Sequence, residues 1–475
     1  MNQRLQLYTS VVPNSRQKAL QSMSFYAFVH FSINTFTGRE WGNGKENIQI
    51  FNPKSLDTDQ WCAAIAAAEM KGVVLTAKHH DGFCLWQTKT TNHSVKNTPY
   101  KNGSGDIVAE LAKSCTKHGL KLGIYLSPWD RNCPLYGSNA YMDFYIDQLT
   151  ELLTNYGEIF MLWLDGACGA SLDGKSPVNY DFERIYKTAL SLQPNIILAN
   201  QGPDVRWVGN ERGIARAAEW NVVPDISGMS DGVAQQTDTN LKKFEEEQLS
   251  NMLTNVGSRD YLDKFDKFIW RPAEVDVSIR PRWFYTWFNN FRVKSVTKLI
   301  KIYINAVGGN NLLILNIPPN KRGLFDRKDI SRLNKLGDFI RGTTRLEIAI
   351  NSATFSGVEK ENYPVSNLLS GKTFSPILKS DGRYALEFNF DTCCIMLAQI
   401  REDTNFSQRI EEFSLTTKLD TGTHLLYSGE TIGFNRLAYF KPITTNNLTL
   451  NINKCRLEPF LELFKIYKYD KKLRF

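Results

Sequence analysis

Five apolar residues, Phe160 to Leu164, end abruptly in Asp165 and Gly166. A run this short, bounded by Gly157 and Gly166, reads as a fully buried strand. A carboxylate inside such a strand is costly without a partner, because a buried charge loses its hydration. At the strand's end it can emerge from the core into a cleft. A rigid, partly desolvated carboxylate there suits acid/base or nucleophilic work. The plainer reading makes Asp165 a strand-end cap for the next helix.

Other strand tips carry groups that could line the same cleft: His30, His79, His80, Tyr125, Trp163 and Asn200. Only six His occur in the chain, and three are in this set. A metallohydrolase would need His-x-His or His-x₃-His spacing with nearby carboxylates, and neither is present. A serine nucleophile lacks its Gly-x-Ser-x-Gly elbow, and no glycine-rich phosphate loop occurs. What remains is a site of carboxylates, imidazoles and aromatic faces, with no metal and no cofactor implied. That set suits glycoside hydrolysis, in which two carboxyl groups flank the scissile bond. Glu211, within Trp207-Val208-Gly209-Asn210-Glu211-Arg212-Gly213, is the second candidate, placed in the loop after a fifth strand on the same face. Its alternative is a surface ion pair with Arg212 or Arg216. Glu219 stands next in line for the acid role.

The elements that must position these residues repeat one layout. Thr58 to Met70 reads as a helix, followed by Gly72, the strand Val73 to Thr76 and then Lys78-His79-His80-Asp81. Asp106 to His118, Gly119 and Lys121 to Leu126 follow the same order, as do Tyr141 to Tyr156, Gly157 and Phe160 to Leu164. Glycine after a helix supplies the left-handed turn that stops it. Helix, glycine, apolar strand and polar tip mark units of a parallel sheet. Tyr26 to Phe31, Ile196 to Ala199, Asn311 to Ile317 and, more weakly, Ala218 to Asn221 add strands. About eight strands over roughly 320 residues predict an α/β fold of the (β/α)₈-barrel type, with its site at the C-terminal strand ends. A doubly wound sheet would need a glycine loop after Phe31.

Near Arg341 the pattern changes to short alternating runs such as Tyr384 to Phe388 and Leu448 to Ile452. Residues 341–475 are expected to form an all-β sandwich behind a catalytic barrel of residues 1–340. No aromatic cluster stands at its strand tips, so a structural role with its barrel-facing side packed is expected.

Composition narrows the partners. The net charge of +8 is spread along the chain, apart from a small cluster at Lys468 to Arg474, which does not resemble a nucleic-acid footprint. No stretch approaches 18 apolar residues, so no membrane span is expected. The first twenty residues lack an apolar signal core. That suggests a cytoplasmic protein as the sequence stands, or an exported one from which a signal peptide was removed. Eight scattered Cys do not form a disulfide framework.

Taken in order, several motifs resemble the α-L-fucosidases of glycoside hydrolase family 29. These are Phe28-Val29-His30-Phe31, Asn34-Thr35-Phe36-Thr37 with Glu40-Trp41-Gly42, Lys78-His79-His80-Asp81-Gly82-Phe83, Leu126 to Asn132, and Trp163-Leu164-Asp165-Gly166. Arg206 to Glu211, Glu274 to Pro281 with Trp283-Phe284-Tyr285, and Leu315 to Asn320 extend the resemblance to about residue 340. It implies a retaining exo-hydrolase, with Asp165 as nucleophile and Glu211 as acid/base. It implies a fucose pocket of His30, Glu40, Trp41, His79, His80, Tyr125, Trp163 and Trp283. The Asn-Thr-Phe-Thr and Gly-Asn-Glu elements resemble the subgroup acting on α-1,3/1,4-linked fucose in branched, Lewis-type glycans. The partner implied is a fucosylated oligosaccharide, and the tail resembles a galactose-binding-like jelly roll. Ser32, Cys168, Arg282 and Thr286 depart from the pattern, where Gly, Asn, Gly and His are expected, and they bear on acceptor preference. The alternatives are a broad fucosidase on aryl or α-1,2 fucosides and a catalytically silent fucose-binding protein. The oligomeric state is left open.

Overall fold

The helix–glycine–strand units form where their caps dictate. Asp57 and Asp106 accept hydrogen bonds from Gln60 N and Ala109 N, which starts the helices Thr58–Ala67 and Ile107–His118. Gly119 ends the second at φ 66°, a geometry that costs glycine no Cβ clash. Tyr141–Asn155 buries Tyr145, Leu149, Leu152 and Leu153 at helical spacing.

The computed structural model describes residues 3–169, 180–225, 252, 254–379 and 381–471. Ten strands precede residue 320: β1 (Phe25–Val29), β2 (Gly72–Lys78), β3 (Lys121–Leu126), β4 (Ile159–Leu164), β5 (Ile197–Asn200), β6 (Arg206–Trp207), β7 (Val222–Pro224), β8 (Phe268–Trp270), β9 (Ala273–Ser278) and β10 (Leu312–Asn316). Eight of them form one parallel sheet in the order β5-β4-β3-β2-β1-β10-β9-β6. A bridge between Ala199 and Val205 brings β5 back to β6 and nearly closes the barrel. β7 and β8 pair antiparallel outside it.

Side chains alternate across the wall, as the period of two requires. Phe25, Ala27, Val29, Val73 and Leu75 face the helices, while Tyr26, Phe28, Val74, Tyr125, Met161 and Trp163 fill the interior. Each such residue gains about 1.5–3 kcal/mol by leaving water. The interior is therefore a packed core whose upper layer becomes the floor of the site.

Two parts of this layout differ from the sequence reading. β6 and β9 are barrel strands that it does not contain. Ala218 to Asn221, read as a weak strand, is irregular: Glu219 is tied to Arg206 and Arg216, and Asn221 Nδ2 donates to Asn310 Oδ1 at 3.1 Å. Side-chain bonds replace a backbone ladder there.

The helix Arg327–Arg345 leads into six antiparallel strands: β11 (Ser352–Phe355), β12 (Tyr384–Glu402), β13 (Ile410–Leu419), β14 (Gly422–Gly429), β15 (Arg436–Cys455) and β16 (Leu461–Lys468). Leu386, Phe388, Phe413, Leu450 and Phe464 form their core. β12 is interrupted by register shifts at Asn389/Cys393 and Ile395/Leu397, irregularities that bend long strands. The β domain is stitched to the barrel. Asn435 Nδ2 donates to Val307 O at 2.9 Å, Phe434 N donates to Asn310 Oδ1 at 2.8 Å, and Arg259 clasps Glu411. The Phe434 ring packs into the barrel-interior cluster with Tyr26 and Leu312. Among the described residues no helix is long and apolar enough to cross a membrane.

Candidate active site

Parallel register delivers the strand-tip residues to one end of the barrel. Tyr125 on β3 pairs with Trp163 on β4, and Thr76 on β2 pairs with Tyr125. His30 follows β1, His79 and His80 follow β2, and Asp165 follows β4. These residues open into a pocket of about 160 Å³ at the C-terminal strand ends, where Trp41, Glu211 and Trp283 join them from loops. Nine of the ten expected site residues line it, and Glu40 does not.

Asp165 is held at both oxygens. The Tyr125 hydroxyl donates to Oδ2 at 2.8 Å, and the Ala167 N–H donates to Oδ1 at 2.8 Å. The second bond closes a turn two residues on. The helix N-cap that Asp165 could have supplied belongs instead to Asp181. A Cβ at Gly166 would stand 2.5 Å from Gln201 Nε2, so a larger residue there would displace the Gln201 side chain at the pocket wall.

The imidazoles are set by their neighbours. Asn316 Nδ2 donates to Ser278 Oγ at 2.9 Å and to Trp283 O at 2.8 Å, which turns its Oδ1 toward His30 Nδ1 at 2.9 Å. His30 Nδ1 must then carry the proton, leaving Nε2 as an acceptor. The same logic fixes His80. The Ser127 hydroxyl donates to Trp129 O at 2.8 Å and lies 2.8 Å from His80 Nδ1, so that Nδ1 donates. His80 Nε2 lies 3.8 Å from Asp165 Oδ2, too far for a hydrogen bond. Burial lowers the pKa of His30 to about 3 and of His80 to about 4, and pushes that of His79 well down. Three neutral imidazoles therefore face the pocket, and the Nδ1 of His79 is buried without a partner.

Glu211 follows β6, the sixth barrel strand, and not the fifth as the sequence implied. A backbone bridge between Arg212 and Val277 pins its loop to β9. Arg216, one of its possible surface partners, turns to Val208 O at 3.0 Å and to Glu219. Glu211 Oε2 instead accepts from Trp283 Nε1 at 3.1 Å. The side chain reaches solvent at the pocket mouth, yet the concave wall crowds its carboxyl. That crowding raises its pKa to about 7, opposed by the Trp283 bond and reinforced by Asp165 and Glu40. Because the side chain is exposed at the mouth, solvent limits the size of this rise.

Glu40 stands behind the wall. Its two oxygens accept from Trp283 N at 2.5 Å and from Arg282 Nε at 2.7 Å. Glu219, the reserve acid, is fully buried against Arg206 and Arg216 and does not line the pocket.

The sequence reading misses three polar residues of β9 and its neighbour. Asp276 and Trp207 line the pocket, joined by Trp207 Nε1 donating to Asp276 Oδ1 at 2.8 Å. Burial, followed by the nearby Glu211 charge, pushes the Asp276 pKa well up. Glu274 lies in the interior and accepts from Trp163 Nε1 at 2.6 Å. The signal was available: Ala-Glu-Val-Asp-Val-Ser alternates strictly, and with its apolar members facing the helices its acids must face inward. Among the described residues no group of three or more His, Cys, Asp or Glu is placed to hold a metal ion.

A neutral-imidazole, aromatic-walled pocket with two unlike carboxyl groups has close counterparts. The sequence profile of the family described as "Alpha-L-fucosidase" matches residues 14–344. Alpha-L-fucosidase 1 of Arabidopsis thaliana is 37% identical over 470 residues, 96% of this chain and 87% of that protein. Among solved structures, SpGH29 superposes with a TM-score of 0.86 at 31% identity, covering 97% of this chain and 99% of that one. A GH29 fucosidase of Ruminococcus gnavus in complex with fucose gives a TM-score of 0.81 at 28% identity, covering 98% and 96%. The chain belongs to the α-L-fucosidases of glycoside hydrolase family 29, and its activity is that of an α-L-fucosidase.

Proposed function

We propose that the chain is a retaining exo-α-L-fucosidase, with Asp165 as nucleophile and Glu211 as acid/base. Its preferred substrate is α-1,3/1,4-linked fucose on a branched glycan. The observation that carries this reading is the contrast between two carboxyl groups on one pocket. Asp165 is a hydrogen-bond acceptor at both oxygens, while crowding raises the proton affinity of Glu211. Two acids in unlike surroundings take unlike roles.

In the first step Asp165 attacks the anomeric carbon as the glycosidic C–O bond breaks, and Glu211 gives its proton to the leaving oxygen. A β-fucosyl ester on Asp165 results. In the second step Glu211 takes a proton from water, water attacks the same carbon, and Asp165 departs. The bound carboxyl groups should stand about 5–5.5 Å apart. The Nε2 acceptors of His30 and His80 suit sugar hydroxyls, and Trp41, Trp163 and Trp283 suit the methyl group and apolar ring face. Residues 1–340 are assigned to catalysis and residues 341–475 to a structural, non-lectin role. The Asn34 to Thr37 and Gly209 to Glu211 elements support the linkage preference.

The test has four parts. Asp165→Ala should lose nearly all activity on every substrate. Glu211→Ala should fail most on natural glycans and regain rate with azide, which replaces water in the second displacement and forms α-fucosyl azide. NMR early in the wild-type reaction should show α-L-fucose first, and β-L-fucose first would reject the retaining scheme. Turnover of a linear α-1,2 fucoside equal to that of a branched α-1,3/1,4 glycan would replace the linkage reading with the broad-specificity one.

A further inference from the structure

We propose that Arg282 and Glu40 are positioning residues: together they clamp the backbone of Trp283, whose indole N–H holds Glu211. The inference rests on Glu211 being the acid/base. Arg282 Nε lies 2.7 Å from Glu40 Oε2, and the Trp283 N–H donates to Glu40 Oε1 at 2.5 Å. On its other side Trp283 is held through its carbonyl, which accepts from Asn316 Nδ2 at 2.8 Å. Its ring lies over His30, with centroids 5.0 Å apart and planes at 36°. The indole Nε1 then reaches Glu211 Oε2 at 3.1 Å. Trp283 is thus fixed at both backbone polar groups and along its ring, and its free edge is the donor to Glu211.

Both oxygens of Glu40 are engaged by this clamp, and Glu40 is outside the pocket wall. In this structure it reaches Glu211 through Trp283. Arg282 supplies the charge that keeps the clamp shut: burial pushes the Glu40 pKa up, and the guanidinium opposes that rise. Glycine, expected here from the family resemblance, has no such group. In this chain the acid/base is therefore mounted on an ion pair that a glycine at the same position would not supply. Asp165, Glu40 and Asp276 are the acidic groups facing Glu211 from three different elements. The Trp283 bond is the interaction that favours its ionised form against them.

The experiment compares Arg282→Gly, Arg282→Lys and Glu40→Gln with wild type on two substrates. One is a natural branched glycan, and the other an aryl fucoside whose phenol needs no proton to leave. Arg282→Gly should lower kcat/KM on the glycan about tenfold, since displaced catalytic groups lose rate steeply, and should lower the aryl rate less, because that substrate shares the fucose contacts of Trp283 but not the need for a proton. The alkaline limb of kcat/KM should move up by roughly half to one pH unit as Glu211 loses a hydrogen bond to its ionised form. Arg282→Lys should restore most of the rate, and Glu40→Gln should move the alkaline limb in the same direction as Arg282→Gly. Equal losses on both substrates with an unmoved limb would overturn the proposal. So would a silent Arg282→Gly. If Glu211→Gln leaves the alkaline limb in place, the acid/base assignment itself has failed, which is a separate result. Arg282 is 38% exposed at its side chain, so folding should survive its loss. Should Arg282→Gly not fold, Arg282→Met carries the same comparison.

Discussion

The Trp163 indole donates to the Glu274 carboxyl at 2.6 Å inside the barrel, behind the pocket wall. Glu274 is fully buried, and Tyr26 is its other partner. Burial raises its pKa to about 7, against the two hydrogen bonds that favour its charge. The folded state therefore binds a proton that the unfolded chain releases near pH 4.5. The stability contribution is complete below that pH and is lost as pH rises through about 7. Glu274→Gln should gain on wild type across this window, by up to about 3 kcal/mol. Urea unfolding at pH 5, 6, 7 and 8 measures it, and a constant difference would refute the assignment.

The imidazoles carry the opposite sign. His30 and His80 have folded pKa values of about 3 and 4, against an ordinary value of 6.5. The unfolded chain takes up protons first as pH falls. Their contribution is complete above 6.5 and declines by about 1.4 kcal/mol per pH unit per group below it, until the folded values are reached. Nitrogen-15 chemical shifts should show neutral rings, with Nδ1 protonated in both, at pH 5.5.

Tyr125→Phe removes the donor to Asp165 Oδ2. The loss falls on the nucleophile, so natural and activated substrates should both slow. A fall in kcat of about 10–100-fold is expected, less than the roughly 10²–10³ that a donor to a developing oxyanion costs, because the Ala167 N–H still holds the other oxygen. An effect confined to natural glycans would assign the hydroxyl to the leaving-group side.

Lys78 is buried beneath the site and donates to Asp130 at 3.0 Å and Gln148 at 2.8 Å. Lys78→Met would leave Asp130 charged and without its cation. Destabilisation of about 3–5 kcal/mol follows from breaking such a buried pair, and denaturant melts measure it. A change below 1 kcal/mol would mean that water replaces the ammonium.

What the sequence reveals depends on how each residue is held. β1 to β5 and β10 are legible because apolar runs and glycine stops are local features. His30, His79, Tyr125 and Asp165 are legible with them, since a strand fixes where its tip residues go. Glu211 is harder. Its strand has two residues, so no run announces it, and the sequence places the loop after the fifth strand when it follows the sixth. Glu274 and Asp276 are invisible to a search for apolar strands because β9 turns its acids into the barrel. The family resemblance groups Glu40 with the fucose pocket, and the structure adds two donors to its oxygens, Trp283 N and Arg282 Nε. Long-range hydrogen bonds of that kind leave no trace in local spacing.

Phe434 has a consequence for how the enzyme comes into being. The ring belongs to the β domain, yet it packs with Tyr26 and Leu312 in the barrel interior. It lies about ninety residues beyond the last barrel helix, so at about 5–20 residues per second the ribosome supplies it roughly 4–18 s after that helix. During that interval the nascent barrel has all its strands but lacks one ring of its interior cluster. Completion of the barrel's floor, at the end away from the pocket, thus waits for a residue of the following domain.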